Sequence, residues 1–97
     1  MKYLRTTMPD GSKWDVPAEV IAKNRADYYE DKEPGLYDSE YEFTMENDDE
    51  LADWAANNMN WEDVESDAVK YCGGDNVDDF QEGWVNGEKK VVLQANV

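Results

Sequence analysis

The sequence predicts an α+β domain in which N- and C-terminal hairpins form one antiparallel sheet that packs against about three helices. Three observations lead there. Apolar residues alternate at both ends of the chain, apolar residues recur at helical spacing in the middle, and Gly/Pro punctuation separates the segments. At 97 residues there is room for a single domain, 1–97, which buries about 60 to 65% of the surface of its extended chain. Twelve aromatic residues (four Trp, six Tyr, two Phe) favour a packed core, although the net charge of −15 and mean hydropathy of −0.94 pull the composition towards disorder.

"KYLRTTM" sets Leu4, Thr6 and Met8 against Tyr3, Arg5 and Thr7. "PDGS" supplies a turn, and "KWDVP" returns with Trp14 and Val16 on one face, which reads as a hairpin. Pro17 suits a first helical turn, and Val20, Ile21, Asn24 and Tyr28 then follow at helical spacing until Pro34-Gly35, predicting a helix over 17–32. In "GLYDSEYEFTM", Tyr41, Phe43 and Met45 alternate with Glu40, Glu42 and Thr44, which fits a short strand or a loop pinned by its aromatic residues.

Glu46 to Gly74 holds nine carboxylates, one lysine and two tryptophans. Asn47 reads as an N-cap with Asp48, Asp49 and Glu50 in the first turn and Glu50 at the capping-box position. Leu51, Trp54, Ala55 and Asn58 form the inward stripe. After "NNMN", Asn60 and Asp63 suggest a second capping box. The stripe Trp61, Val64, Ala68, Tyr71, Cys72 predicts a helix that stops at Gly73-Gly74. Trp54 and Trp61 are thus expected in the core. "DNVDDFQEG" reads as a loop, and Asn86-Gly87 inside "WVNGEKKVVLQANV" predicts a type I′ hairpin, with Val91, Leu93 and Ala95 alternating against Lys90, Val92 and Gln94.

With no histidine and one cysteine, Cys72, the chain has no intramolecular disulfide, Cys/His zinc site or histidine-dependent triad or dyad. Asp75, Asp78, Asp79 and Glu82 make the best cluster for calcium, but they lack the order, central glycine and final glutamate of an EF-hand loop. No cofactor or metal is expected, and no enzymatic activity. No apolar run approaches the roughly 18 residues that cross a bilayer, and the N-terminus shows no apolar leader, so a cytoplasmic protein is expected.

Charge is uneven along the chain. Residues 1–32 carry six bases and six acids, whereas residues 33–88 carry eighteen acids and only Lys70. Such a field repels nucleic acid and anionic lipid, so neither is expected as a direct partner. The segment Glu50–Tyr71 has a helix-turn-helix outline, but its second helix would offer carboxylates to phosphate. Carboxylates spaced along helices can instead imitate a phosphate backbone and engage a basic protein partner. The candidate contact residues are Asp49, Glu50, Asp53, Glu62, Asp63, Glu65 and Asp67. The alternative is a small structural or assembly protein whose acidity serves only solubility.

"MPDGSKWDVPAEVIAKNRADYY" followed by "ADWAANNMNWEDV" resembles small acidic proteins of unknown function from tailed bacteriophages. The likeness is concentrated in Pro9 to Tyr29 and Ala52 to Val64. It implies a phage setting, in which small acidic proteins bind and redirect host or phage machinery, and it carries no site residues.

Overall fold

The computed structural model describes residues 1–74 and 79–93. The elements run β1 (Lys2–Thr7), β2 (Lys13–Pro17), α1 (Ala18–Lys32), α2 (Tyr37–Glu46), α3 (Asp48–Asn58), α4 (Trp61–Val64), β3 (Val69–Cys72), α5 (Phe80–Asn86) and β4 (Lys89–Leu93). They make an α+β fold with one antiparallel sheet in the order β3-β2-β1-β4.

The first hairpin forms as the sequence predicts. Leu4 pairs with Val16 and Thr6 with Trp14, which turns the apolar alternation of both strands to one side. Asp10 closes the turn by accepting from the Ser12 backbone N–H (2.9 Å) and hydroxyl (2.6 Å), and Gly11 supplies the positive φ, +86°. β4 joins the other edge of β1, with Val91 opposite Leu4.

The helices cover one face of this sheet. Leu4, Met8 and Val16 meet Ile21, Leu51, Trp54, Ala55, Met59, Trp61, Val64 and Trp84 in one core. Both predicted core tryptophans are buried, Trp54 and Trp61 being 8% and 7% exposed. The Trp54 indole donates to Asn24 Oδ1 at 2.9 Å, and the Trp61 ring stacks on Phe80 at 5.0 Å. Along α1 the inward stripe is Ala18, Ile21, Ala22 and Ala26, not the predicted row ending at Tyr28, which is exposed.

Further expectations fail, each for a tertiary reason. The end of the segment read as a loop, Phe80 to Gly83, is the start of α5. The segment read as strand or loop is α2. Six residues of alternation cannot separate period 2 from period 3.6, and Tyr37 and Tyr41 stack at i,i+4 (6.1 Å, 15°). Glu30 accepts from the Gly35 and Tyr37 N–H groups and turns the chain back so that α2 packs along α1. The helix expected through Cys72 ends at Val64. Glu65–Asp67 turn, and Val69–Cys72 pairs with β2, because that strand's outer edge has backbone groups to satisfy and the stretch is rich in β-formers.

The Asn86-Gly87 hairpin is absent. Trp84, Val85 and Asn86 are the last residues of α5, and Gly87 has φ −67° where a type I′ turn needs a positive value. Gly87 is required for another reason: a Cβ there would lie 2.1 Å from the Thr7 carbonyl oxygen. The second strand, Lys89–Leu93, forms as expected but pairs with β1. Ala95 and Gln94 lie outside the described residues, as do Asp75 and Asp78. Lastly, the Asn47 side chain makes no cap bond to α3. Its Nδ2 donates back to the Phe43 carbonyl (2.7 Å), and Glu50 turns to Arg25. The Asn60/Asp63 capping box does form, with Asn60 N–H donating to Asp63 Oδ2 at 2.8 Å.

Candidate functional site: an acidic helical layer behind a cationic sheet

Folding sorts the charges. The four strands carry Lys2, Arg5, Lys13, Lys70, Lys89 and Lys90, six of the nine bases, and a single acid, Asp15. Their net charge is +5, so the rest of the chain carries −20. In α1 sit the other three bases, Lys23, Arg25 and Lys32, while α2 to α5 have none. Lysines 70, 89 and 90, distant in sequence from the bases of the N-terminal hairpin, join them through strand pairing.

All seven predicted contact residues are exposed. Asp49, Glu50 and Asp53 lie on α3, and Glu62 and Asp63 on α4. Glu65 and Asp67 fall in the turn before β3 and not on a helix, which shortens the expected carboxylate ladder. The α3 and α4 groups stand at opposite ends of an 11-residue helix, about 16 Å long. Three of the seven have internal partners. Glu50 pairs with Arg25 Nη1 at 3.1 Å, Asp53 accepts from Asn57 Nδ2 at 2.9 Å, and Asp63 caps its own helix.

Arg25 is the counter-charge inside the layer. Its side chain is only 12% exposed and lies 5.1 to 5.5 Å from the Phe43, Tyr29 and Trp54 rings. Glu40 stands 4.0 Å from its Nε. A neighbouring open groove between α1 and α3 is floored by Trp54 and Tyr28 and rimmed by Asp27 and Asp31.

The sequence reading missed the α2 carboxylates. Asp38, Glu42 and Glu46 are exposed and recur every four residues, one row on one helix face. That spacing was the available signal, masked by the strand-like alternation of the same stretch. Like charges at i,i+4 cost a helix about 0.2 to 0.5 kcal/mol per pair, and no base on α2 offsets them.

Five groups among the described residues have shifted proton affinities with clear causes. Hydrogen bonding to Asp27 raises exposed Lys23. The Gly35 and then the Tyr37 backbone N–H groups hold the Glu30 carboxyl below the usual range. Hydrogen bonding to Asp15 raises Arg5. Burial lowers Lys89, whose ammonium sits 5.7 Å from the Trp84 ring, and burial raises the Tyr41 phenol. None of these pairs a nucleophile with a base. Among the described residues, no group of three or more His, Cys, Asp or Glu side chains is placed to hold a metal, and no helix is long and apolar enough to cross a membrane.

Fold and surface together define an α+β protein with a cationic sheet behind an acidic helical layer. No protein-family model, curated protein or solved structure matches the chain.

Proposed function

We propose that this protein is a non-catalytic binding domain whose acidic helical layer engages a basic protein partner, with carboxylates standing where a nucleic acid would present phosphates. The observation that carries the reading is the charge sorting, +5 on the strands against −20 elsewhere. Acidity that served only solvation has no reason to spare one layer of the fold. The Asp38–Glu42–Glu46 repeat adds to it, since it costs helix stability and no base on α2 offsets it. A phage-encoded protein acting in the host cytoplasm is the setting that the resemblance suggests for such a domain.

The test is Asp49→Lys/Asp53→Lys/Glu62→Lys, three exposed positions outside the core. The variant is expected to keep the wild-type circular dichroism spectrum. Capture of a basic protein from host lysate should be strong for the wild type at low salt, weak at high salt, and weak for the variant at both, because steering charges act chiefly on the association rate. A variant that loses solubility yet keeps every salt-sensitive partner of the wild type would instead establish acidity as solvation.

A further inference from the structure

The sheet has a second face, and no helix among the described residues covers it. Strand alternation points Tyr3, Arg5, Thr7, Lys13, Asp15, Lys90 and Val92 away from the core. Arg5 is bound to Asp15 through two hydrogen bonds (2.8 and 3.0 Å) and covered by the Tyr71 ring at 3.4 Å. Among the described residues, the positive charges of the face outside an ion pair are Lys90 and Lys13, whose Nζ donates to the Thr7 hydroxyl at 3.4 Å. Val69 and Tyr71, 62% and 52% exposed, provide an apolar border.

We infer that a second copy of this chain docks on the open sheet face, laying its α2 carboxylate row across Lys13 and Lys90. The spacing carries the inference. Lys13 and Lys90 lie on strands flanking β1, two ladder steps apart in register (Lys13 opposite Thr7, Lys90 opposite Arg5). Two strand spacings across and two residues along put them about 12 Å apart. Asp38 and Glu46 are eight residues apart on α2, which is also about 12 Å at the helical rise. The row thus spans the two lysines on the diagonal of the strands. Exposed Phe43, on the same helix, adds apolar surface to the contact.

α2 packs chiefly on α1 and α3, in the helical layer on the other side of the sheet. The two complementary surfaces therefore lie on different sides of the molecule, and their contact is head-to-tail: it leaves one of each free and generates open chains, not a closed dimer. The face measures only about 300 Å² in plan, from four strands of about five residues, below the roughly 800 Å² per partner of a stable complex. The association is accordingly weak and concentration-driven. It rests on the acidic layer being a docking surface, and names the chain's own sheet as a basic surface it takes.

Sedimentation of the full chain from micromolar to millimolar concentration tests this. At about 0.01 M salt the screening length is about 30 Å and the −15 charges repel. At about 0.15 M it falls to about 8 Å and local pairing prevails, and at about 1 M, where it is about 3 Å, the pairs are screened too. Mass beyond the dimer is expected at the middle condition. Lys13→Gln/Lys90→Gln and Asp38→Asn/Glu42→Gln/Glu46→Gln should each be folded and monomeric. Mixed, they should reach twice the monomer mass and no more, since each supplies the surface the other lacks. Wild type that is monomeric at every salt and concentration, or a mixture that stays monomeric, overturns the inference. The basic-partner reading would then still stand or fall by lysate capture with the Asp49/Asp53/Glu62 variant, which leaves the α2 row intact.

Discussion

Trp84→Phe separates the fold observed here from the hairpin that the local sequence suggests. In a hairpin, Trp84 would flank an exposed turn and its ring would be half solvated. In the structure it is fully buried at the end of α5, its Nε1 donates to the Met59 carbonyl at 3.1 Å, and its ring lies 6.1 Å from that of Trp61. Phenylalanine keeps much of the ring but leaves a void of about 40 Å³, worth about 1 kcal/mol at about 24 cal/mol per Å³. It also removes the indole donor from a buried carbonyl, which costs about 1 to 3 kcal/mol. The expected loss is about 2 to 4 kcal/mol, a large fraction of the roughly 5 to 15 kcal/mol that such a domain holds. Urea unfolding followed by far-UV circular dichroism reads this as a midpoint lowered by about 1 to 3 M at unchanged slope. Val85→Ala, the exposed neighbour, is the control and should cost no more than about 0.5 kcal/mol. A Trp84→Phe variant as stable as that control would refute the placement of α5.

Asp15→Asn should cost about 2 to 3 kcal/mol, somewhat less than a fully buried pair because the Arg5 side chain is still 16% exposed; the Arg5→Leu/Asp15→Leu double variant should recover most of the loss in the same denaturation assay. Glu30→Gln should destabilise the protein at neutral pH. Because the folded state holds this carboxyl below its ordinary value, its contribution is full above that value and disappears as the pH falls through the lowered one. Melting curves of wild type and variant should therefore converge in acid, and a gap that persists there would exclude the Glu30 cap of the α1–α2 turn. The wild-type melting temperature should rise between about 0.01 and 0.5 M salt as screening relieves repulsion within the helical layer. A flat profile would mean that the carboxylates do not strain the fold.

Where a segment's structure depends on its own residues, the sequence determined it. The first hairpin follows from alternation around Asp10-Gly11-Ser12, the extent of α1 from its bounds at Pro17 and Pro34-Gly35, and burial of Trp54 and Trp61 from apolar stripes in α3 and α4. Asn60 and Asp63 cap α4 as their spacing requires. The net charge and the lack of histidine are likewise independent of fold, and so are the chemistries they exclude.

Tertiary contacts decided the rest. Val69–Cys72 satisfies a helical stripe and a β-strand equally, and it became a strand because β2 presented an unpaired edge. Trp84 and Gly87 read as hairpin residues, yet the core needed a large buried ring and the Thr7 backbone left no room for a Cβ. Local preference at these positions amounts to tenths of a kcal/mol, while burial of an indole or pairing of a strand edge is worth several. The candidate site shows the same division. Its carboxylates could be counted along the chain, but the separation of a cationic sheet from an acidic layer arises only when Lys70, Lys89 and Lys90 are hydrogen-bonded into the same sheet as Arg5 and Lys13, because strand pairing ignores the distance in sequence that charge counting follows.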